Sequence, residues 1–371
     1  MKIAVYTIAK NEEAFVERWY ESAKAADLLL IADTGSADNT VAKAEALGIT
    51  VVRISVIPWR FDDARNAALA AIPADVDYCI ALDMDEVLVE GWREELEKLD
   101  PDLVGRPRYE YTWSWTPDGK PGLQYGGDKI HRRIGFRWKH PVHETLVYTD
   151  SQFDTQDWTG LKIQHHPDET KSRGQYFPLL ELAVREDPED DRNTYYLARE
   201  YFFHDYKDKA TTHFKRHLSL PKALWRPERA ASMRYLAKLE PIERESWLLK
   251  AIAEAPEQRE ARCDLAQHYQ NQGQWLQSYA MAYSALEITE KPLVYLCEHD
   301  AWSFLPHDLI ALAAFKLGKF AEALQHGRKA AELAPYDKRL SDNLEHYEGA
   351  VDEQHDTARS LVGEDGDASQ H

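Results

Sequence analysis

The sequence predicts an α/β domain built on a parallel sheet, followed by an all-α domain of stacked helical repeats. Three observations carry this. Apolar, β-rich runs alternate with helical periods from Lys2 to Val89. One short apolar run, Tyr78 to Leu82, ends in the carboxylates Asp83, Asp85 and Glu86. Beyond Tyr176, small and aromatic residues recur with a period of about 34 to 45 residues.

Lys2 to Ala9 suits a first strand, which Lys10-Asn11-Glu12-Glu13 breaks. Phe15, Trp19 and Ala23 then fall at helical spacing. Leu28 to Ala32 is a second strand, ending in a polar turn, Asp33 to Thr40, that starts a helix over Val41 to Leu47. Ile49 to Val56 is a third strand. Asp62-Asp63-Ala64-Arg65-Asn66 opens a helix through Ile72, and Tyr78 to Leu82 is a fourth strand, apolar enough to be buried on both faces. Strand and helix in strict alternation imply right-handed crossovers and a parallel sheet, whose carboxyl edge is where ligands bind. Carboxylates clustered there suit a cation or a ligand carrying one, and they also suit a solvated acidic turn.

Composition bounds the rest. With 371 residues, 44% of them hydrophobic and 29% charged, the chain suits two soluble globular domains. The net charge of −19 argues against non-specific grip on a nucleic-acid backbone over the whole surface, though not against a local basic groove. Cys79, Cys263 and Cys297 form neither a disulfide framework nor a metal spacing, which favours a reducing compartment. There is no GxGxxG, no P-loop, no secretory signal and no run as long as a membrane span. The expectation is a cytoplasmic protein.

Four motifs carry a resemblance. Thr7-Ile8-Ala9-Lys10-Asn11-Glu12 resembles the opening of family 2 glycosyltransferases of the GT-A fold, a Rossmann-like fold of nucleotide-diphospho-sugar transferases. Asp33-Thr34-Gly35-Ser36-Ala37-Asp38-Asn39-Thr40 resembles the segment after the second strand of that family, and Ala64-Arg65-Asn66 the one after the third. Asp83-Met84-Asp85 falls where the family has its metal-binding Asp-x-Asp. The order of the four is the specific signal. The resemblance implies a nucleotide-sugar donor, by default a UDP-hexose, and inversion at the anomeric carbon. It implies a divalent cation, Mn²⁺ or alternatively Mg²⁺. Asp85 would be a metal ligand, and Asp83 would touch the ribose or the metal shell. Asp33 would accept from a uracil-type base framed by Thr7, Ala9 and Glu12, and Arg65 would close the pocket. Asp33 and Asp38 also suit helix capping, and Arg65 also suits an ion pair with Asp62 or Asp63.

Residues 106–149 alternate aromatics with turns, including Pro117-Asp118-Gly119, and suggest a hairpin or meander. Trp113 and Trp115 suit stacking on an acceptor, or packing of this segment on the sheet. Lys129-Ile130-His131-Arg132-Arg133 is basic and suits a diphosphate or an anionic acceptor, with Arg132 on the acceptor side. Val142-His143-Glu144 resembles a pattern in family 2 enzymes that modify lipopolysaccharide cores, peptides or other bacterial and phage targets. There Glu144 would be the general base, with His143 second and Asp128 a further candidate. His165, with His166 as runner-up, fits the histidine that often completes a GT-A metal shell, and imidazole favours Mn²⁺-type ions. Lys171 and Arg173 suit a lid over the diphosphate.

The helical half resembles tetratricopeptide repeats most clearly over His307 to Pro335, with about four units from Asn193 and a capping helix to about Tyr347. These repeats suit a partner-binding or self-associating surface, or a rigid buttress. The expected division is a catalytic domain at 1–175, a repeat domain at 176–350, and a disordered acidic tail at 351–371. The expected function is metal-dependent hexosyl transfer to a saccharide, a protein or peptide, or a modified nucleobase such as 5-hydroxymethylcytosine. Its alternatives are a nucleotidyltransferase and a non-catalytic repeat scaffold.

Overall fold

A computed structural model of the chain describes residues 1–149, 154–168 and 176–364, with side chains to residue 356. Lys171 and Arg173 lie outside the described residues. In chain order the α/β part runs β1 Ile3–Ala9, α1 Val16–Ala23, β2 Leu28–Asp33, α2 Thr40–Ala46, β3 Thr50–Arg53, α3 Phe61–Ala70, β4 Tyr78–Ala81, β5 Glu86–Leu88 and α4 Trp92–Leu96. Then come β6 Arg106–Thr112, β7 Gln124–Gly127, β8 Ile130–Arg132, β9 Phe136–Lys139, β10 Thr145–Tyr148 and β11 Gln156–His165.

The main sheet has the order β3-β2-β1-β4-β8. Its first four strands are parallel, as the alternation predicts, and β8 runs antiparallel to β4 at the edge. Both faces are covered. Val16 and Trp19 of α1 and Ala44 of α2 pack with Val5, Ile31 and Ile80 on one side. Ala68 and Leu69 of α3, with Ile72 just beyond it, pack with Tyr6, Leu30 and Ala81 on the other. This two-sided burial is why the strands read as continuous apolar runs.

The meander expected over residues 106–149 is divided among three sheets. β6 and β7 pair antiparallel in a second sheet, β5-β11-β6-β7, while β8 joins the main sheet and β9 pairs with β10. Pairing of β5 with β11 sets His165 opposite Glu86, so the second sheet delivers a histidine to the acidic turn that follows β4.

The helices are α5 Tyr176–Glu186, α6 Asp191–Phe203, α7 Lys207–Ser219, α8 Arg226–Leu239, α9 Arg244–Glu254, α10 Glu260–Asn271, α11 Trp275–Leu286, α12 Leu305–Lys316, α13 Phe320–Leu333 and α14 Lys338–Glu364. The chain divides into two compact units. The first is Met1–Thr116 with Lys120–Lys222, and the second is Pro117–Gly119 with Ala223 to the C-terminus. The division expected at residue 175 therefore moves to Lys222. Polar and aromatic contacts explain the shift. Glu186 pairs with Arg60 at 2.6 Å, Asp187 with Lys139 at 3.1 Å, and Asp190 with His140 at 3.3 Å. Tyr176 and Tyr196 meet Phe61 and His143.

The second unit stacks antiparallel helix pairs over a core of small residues, including Ala266, Ala282, Ala285 and Ile310. Gly273 and Gly318 take positive φ just past α10 and α12, the left-handed turn that glycine adopts without a Cβ penalty. Buried Arg234 joins Asp264 and Glu298. The last helix does not end near Tyr347. It runs to Glu364, so residues 352–364, expected to be disordered, are helical. Residues 352–356 of this helix are exposed, which is why their composition is polar. Among the described residues no helix is long and apolar enough to cross a membrane.

Candidate active site

The carboxyl ends of β1, β2 and β4 lie side by side, since Ala9 is in register with Asp33 and Tyr6 with Ala81. Two loops at this edge are knitted together. Asn11, at a positive φ of 58°, donates its N–H to Ser36 Oγ at 2.9 Å, and its Oδ1 accepts from Ala37 N at 2.8 Å. The Glu12 N–H donates to Thr40 Oγ1 at 2.7 Å, and the Asn39 N–H to Glu13 Oε2 at 2.9 Å. The first two motifs are thus halves of one construction. Asp33, 3% exposed, accepts from the backbone of Gly35 and Ser36, which fixes its carboxylate at the strand end. Asp38 accepts from Thr40 N and Oγ1 in the turn ahead of α2, whose N-cap position is Asn39. Ala9 O accepts from both Thr34 N and Thr34 Oγ1. Thr7 is buried with its hydroxyl donating to Ile8 O, and Glu12 is buried as well.

The Ala-Arg-Asn motif has three separate jobs. Ala64 packs in the interior. Asn66 exchanges two hydrogen bonds with the backbone of Trp138, at 2.8 and 2.9 Å, locking α3 to β9. Arg65, stacked over the Trp138 ring at 5.0 Å, donates Nη2 to Asp83 Oδ1 at 2.7 Å and Nε to Glu144 Oε1. Its partners are therefore not Asp62 or Asp63; Asp62 pairs with Arg60.

Asp83 is gripped from its other side by Lys129, whose Nζ lies 2.7 Å from Asp83 Oδ2 and 2.6 Å from Glu86 Oε1. Glu86 also accepts from Tyr111 OH at 2.6 Å and from the Asp83 N–H at 2.8 Å. Burial works against ionising Asp83, but Arg65 and Lys129 outweigh it and hold the carboxyl well below its usual range. Burial dominates at Glu86, which is pushed up despite Lys129. Burial disfavours the Lys129 charge, and Asp83 and Glu86 reverse that. Sequence reasoning singled out the basic run but gave Lys129 no separate role. The signal that identifies it is the antiparallel direction of β8: Lys129 O accepts from Ala81 N at the carboxyl edge, whereas Arg132 pairs with Tyr78 at the far edge. Arg132 therefore lies at the opposite end of the strand from Lys129. It donates to Pro101 O and Tyr148 OH, Arg133 donates to Ile72 O, and buried His131 bonds Tyr6 OH.

Asp85 and His165 form a second pair, with Oδ2 and Nε2 3.3 Å apart. His165 Nδ1 lies 2.9 Å from Trp113 O. With Nδ1 donating to the Trp113 carbonyl, Nε2 faces Asp85 and donates to it, and a cation taking the place of that proton would meet a histidine already oriented by the carbonyl behind it. Two ligands of a divalent ion about 2.1 Å from each, at a right angle, sit about 3 Å apart. The residues present therefore fit a divalent cation held by Asp85 and His165. Burial lowers the His165 pKa, and Asp85 and the Trp113 carbonyl more than compensate, raising it. The Trp113 ring stacks on His165 at 4.3 Å, and Trp115 stacks on His166 at 5.4 Å while its Nε1 donates to His165 O. The two tryptophan rings thus pack on His165 and His166. His166 N donates to Asp85 O.

Glu144 lies on Arg65 beside Asp83 and is largely buried. His143, at a positive φ of 48°, has its imidazole flat on Tyr196 of α6, 4.1 Å between centroids. Asp128 is exposed just before Lys129. The structure thus gathers Asp33, Arg65, Asp83, Asp85, His165 and Glu144 at one sheet edge.

Residues 4–149 match the family described as Glycosyl transferase family 2. An uncharacterized glycosyltransferase of Rickettsia bellii is 36% identical over 97 residues, covering 26% of this chain and 32% of that protein. A second, from Rickettsia felis, is 33% identical over 26% of this chain and 33% of its own length. The chain thus spans about a third of the length of the curated relatives it matches. Among solved structures, glucosyl-3-phosphoglycerate synthase of Mycobacterium tuberculosis, in complex with Mn²⁺, UDP and glucosyl-3-phosphoglycerate, is 27% identical over 30% of this chain and 44% of that one, with a TM-score of 0.25. A thermophilic TPR protein of Thermus thermophilus is 20% identical over 47% of this chain and 88% of that one, with a TM-score of 0.33.

Proposed function

Residues 4–149 being a family 2 glycosyltransferase domain, we propose that the chain transfers a hexose from a nucleotide-sugar, by default UDP-hexose, with inversion and with a divalent cation, Mn²⁺ first. The observation that carries the reading is the pairing of Asp85 with His165 next to an Asp83 clamped by two cations. When bound, the cation neutralises charge on the departing diphosphate. The chain's own residues do the rest. Asp33 and the knitted loops around Thr7, Ala9 and Glu12 receive the base. Arg65 and Lys129 hold Asp83 rigid and ionised, leaving Asp85 and His165 to take the cation. Glu144 accepts the proton of the acceptor hydroxyl as its oxygen bonds to C1. The C1–O bond to the diphosphate breaks, and its electron pair leaves with the phosphate. His143 is held against Tyr196 and serves position rather than proton transfer. Lys171 and Arg173 remain candidates for a lid.

The bonds of Arg132 to Pro101 O and Tyr148 OH and of Arg133 to Ile72 O weigh against a nucleic-acid acceptor. Saccharide and peptide or protein acceptors stand. The helical repeats suit a protein partner or self-association.

The test is binding and slow hydrolysis of UDP-glucose, UDP-galactose, UDP-N-acetylglucosamine and GDP-mannose, with and without Mn²⁺, in the full chain and in Asp85→Asn. Metal-dependent binding of one donor, weakened at least tenfold by the substitution, is expected. Absence of binding by every donor would sink the reading. Pyrophosphate as product, in place of a nucleoside diphosphate, would replace it with nucleotidyl transfer.

A further inference from the structure

A buried chain of polar groups runs from the interior of the main sheet to the candidate base. Tyr6 in β1, His131 in β8 and Trp138 in β9 are all buried, and Tyr6 and Trp138 sit among Ala4, Leu30, Ala68 and Leu69. Trp138 Nε1 lies 2.8 Å from Tyr6 OH, and Tyr6 OH lies 3.1 Å from His131 Nε2. His131 Nδ1 is 2.6 Å from Arg132 O. An indole N–H only donates and a carbonyl only accepts, so the direction of all three bonds is fixed. The Tyr6 oxygen accepts from Trp138, its proton goes to His131 Nε2, and Nδ1 carries the ring proton to Arg132 O. Burial pushes the His131 imidazole down to about 3, which keeps this neutral form at neutral pH. Apolar side chains would fill the same core without desolvating a polar atom. What the polar chain adds is one defined turn of the Trp138 ring, which Asn66 already holds by its backbone. That ring lies under the Arg65 guanidinium, 5.0 Å from the centroid. Arg65 Nε donates to Glu144 Oε1, and among the described residues Arg65 is the one hydrogen-bond and ion-pair partner of the Glu144 side chain. The guanidinium plane therefore sets the direction of the Glu144 carboxylate, and the indole sets that plane.

We propose that Tyr6 and His131 are positioning residues which, through Trp138 and Arg65, hold the Glu144 carboxylate in line with the acceptor hydroxyl. This rests on the glycosyltransferase reading, with Glu144 as its base, and extends the support of that base into the core of the sheet. Glu144 Oε1 is taken by Arg65, and Oε2 is the atom left for the proton. Loosening the indole tilts the guanidinium, swings Oε2 off line and slows proton removal. Asp83 keeps Lys129 as its second cation, so the donor side is disturbed less than the base.

The assay is slow hydrolysis of the nucleotide-sugar, among the four named above, that the full chain binds with Mn²⁺. Water then stands in for the acceptor hydroxyl and meets the same base. Tyr6→Phe removes the acceptor for Trp138 Nε1, and Trp138→Phe keeps a ring under Arg65 without the N–H. Each should lower kcat about tenfold, on the scale of a small misplacement of a reacting group, with donor KM within about twofold. His131→Gln, whose side-chain oxygen accepts from Tyr6, should keep more of the rate than His131→Leu. Placed on Glu144→Gln, Tyr6→Phe should cost nothing further, because the base it positions is gone, whereas a general loosening of the fold would lower the rate again. Thermal melts set the assay temperature below each variant's transition. Trp138→Phe decides the matter if Tyr6→Phe does not fold, and the proposal falls if neither folds, since the chain is then a structural pillar alone. It falls equally on an unchanged kcat in a folded variant, on a loss confined to KM, or on a Tyr6→Phe loss that persists in full on Glu144→Gln. In each of those cases donor binding by the unsubstituted chain leaves the glycosyltransferase reading standing. Absence of donor binding and hydrolysis in the unsubstituted chain sinks that reading, and this proposal with it.

Discussion

Lys129→Met removes the cation shared by Asp83 and Glu86 while keeping an aliphatic stem. At an effective dielectric near 20, each of the contacts at 2.7 and 2.6 Å is worth roughly 6 kcal/mol before solvation is counted. Desolvation of the ammonium offsets most of that sum. Breaking a buried cluster from one side costs about 3–5 kcal/mol net, because the carboxylates stay behind uncompensated. Asp83 keeps 31% side-chain exposure while Glu86 has 1%, so the lower figure, about 3 kcal/mol, applies. For a domain of this size that is a fall of about 6–12 °C in Tm. Adding Glu86→Gln removes the most deeply buried negative charge and keeps one acceptor oxygen for the Asp83 N–H, while the Tyr111 hydroxyl can turn to accept from the new amide. The double variant should recover at least half the loss, which is a coupling of over about 1 kcal/mol between the positions. Differential scanning calorimetry and guanidinium titration of the wild type, both single variants and the double variant measure it. A Lys129→Met protein within about 1 kcal/mol of wild type, or losses that simply add in the double variant, would refute the clamp.

Two further outcomes test other parts of the chain. A Cβ built on Gly127 would come 2.2 Å from the Tyr109 ring, whose side chain is fully buried. Gly127→Ala should therefore cost about 1–3 kcal/mol by overpacking, read by denaturant unfolding, and a neutral result would show that Tyr109 is free to move. In the second unit, the His307 imidazole, 2.9 Å from His326, is pushed down to about 4 by burial first and by His326 second. A histidine depressed in the folded state refuses a proton that the unfolded chain accepts, so stability is present above pH 6.5 and is lost as pH falls from 6.5 towards 4. The ring is only partly buried, so the loss is discounted to about 1–2 kcal/mol. His307→Gln should flatten Tm against pH in that window, and an unchanged slope would assign the acid sensitivity to other groups.

Much of the site was legible because carboxylates at strand ends are unusual and strand ends align in a parallel sheet. Asp33, Asp83, Asp85 and His165 come together as expected. Lys129 gained its role from the direction of β8, and no local pattern states whether an edge strand runs parallel or antiparallel. For the same reason the basic run looks uniform in sequence, although the strand carries Lys129 and Arg132 to opposite edges of the sheet. Composition does not change at residue 175, so nothing local separates helices that serve the sheet from helices that stack on each other. The Glu186, Asp187 and Asp190 partners lie roughly 50 to 130 positions away along the chain, beyond the reach of any periodicity.

The division at Lys222 bears on how such a chain can be recombined. A graft that exchanges everything after residue 175 strips Arg60, Lys139 and His140 of their acidic partners and uncovers His143 beside the candidate base. A graft at Lys222 carries α5, α6 and α7 along as part of the donor gene's catalytic cassette. Natural or engineered shuffling that changed the later helices while keeping the first unit whole would leave its scars at the later joint.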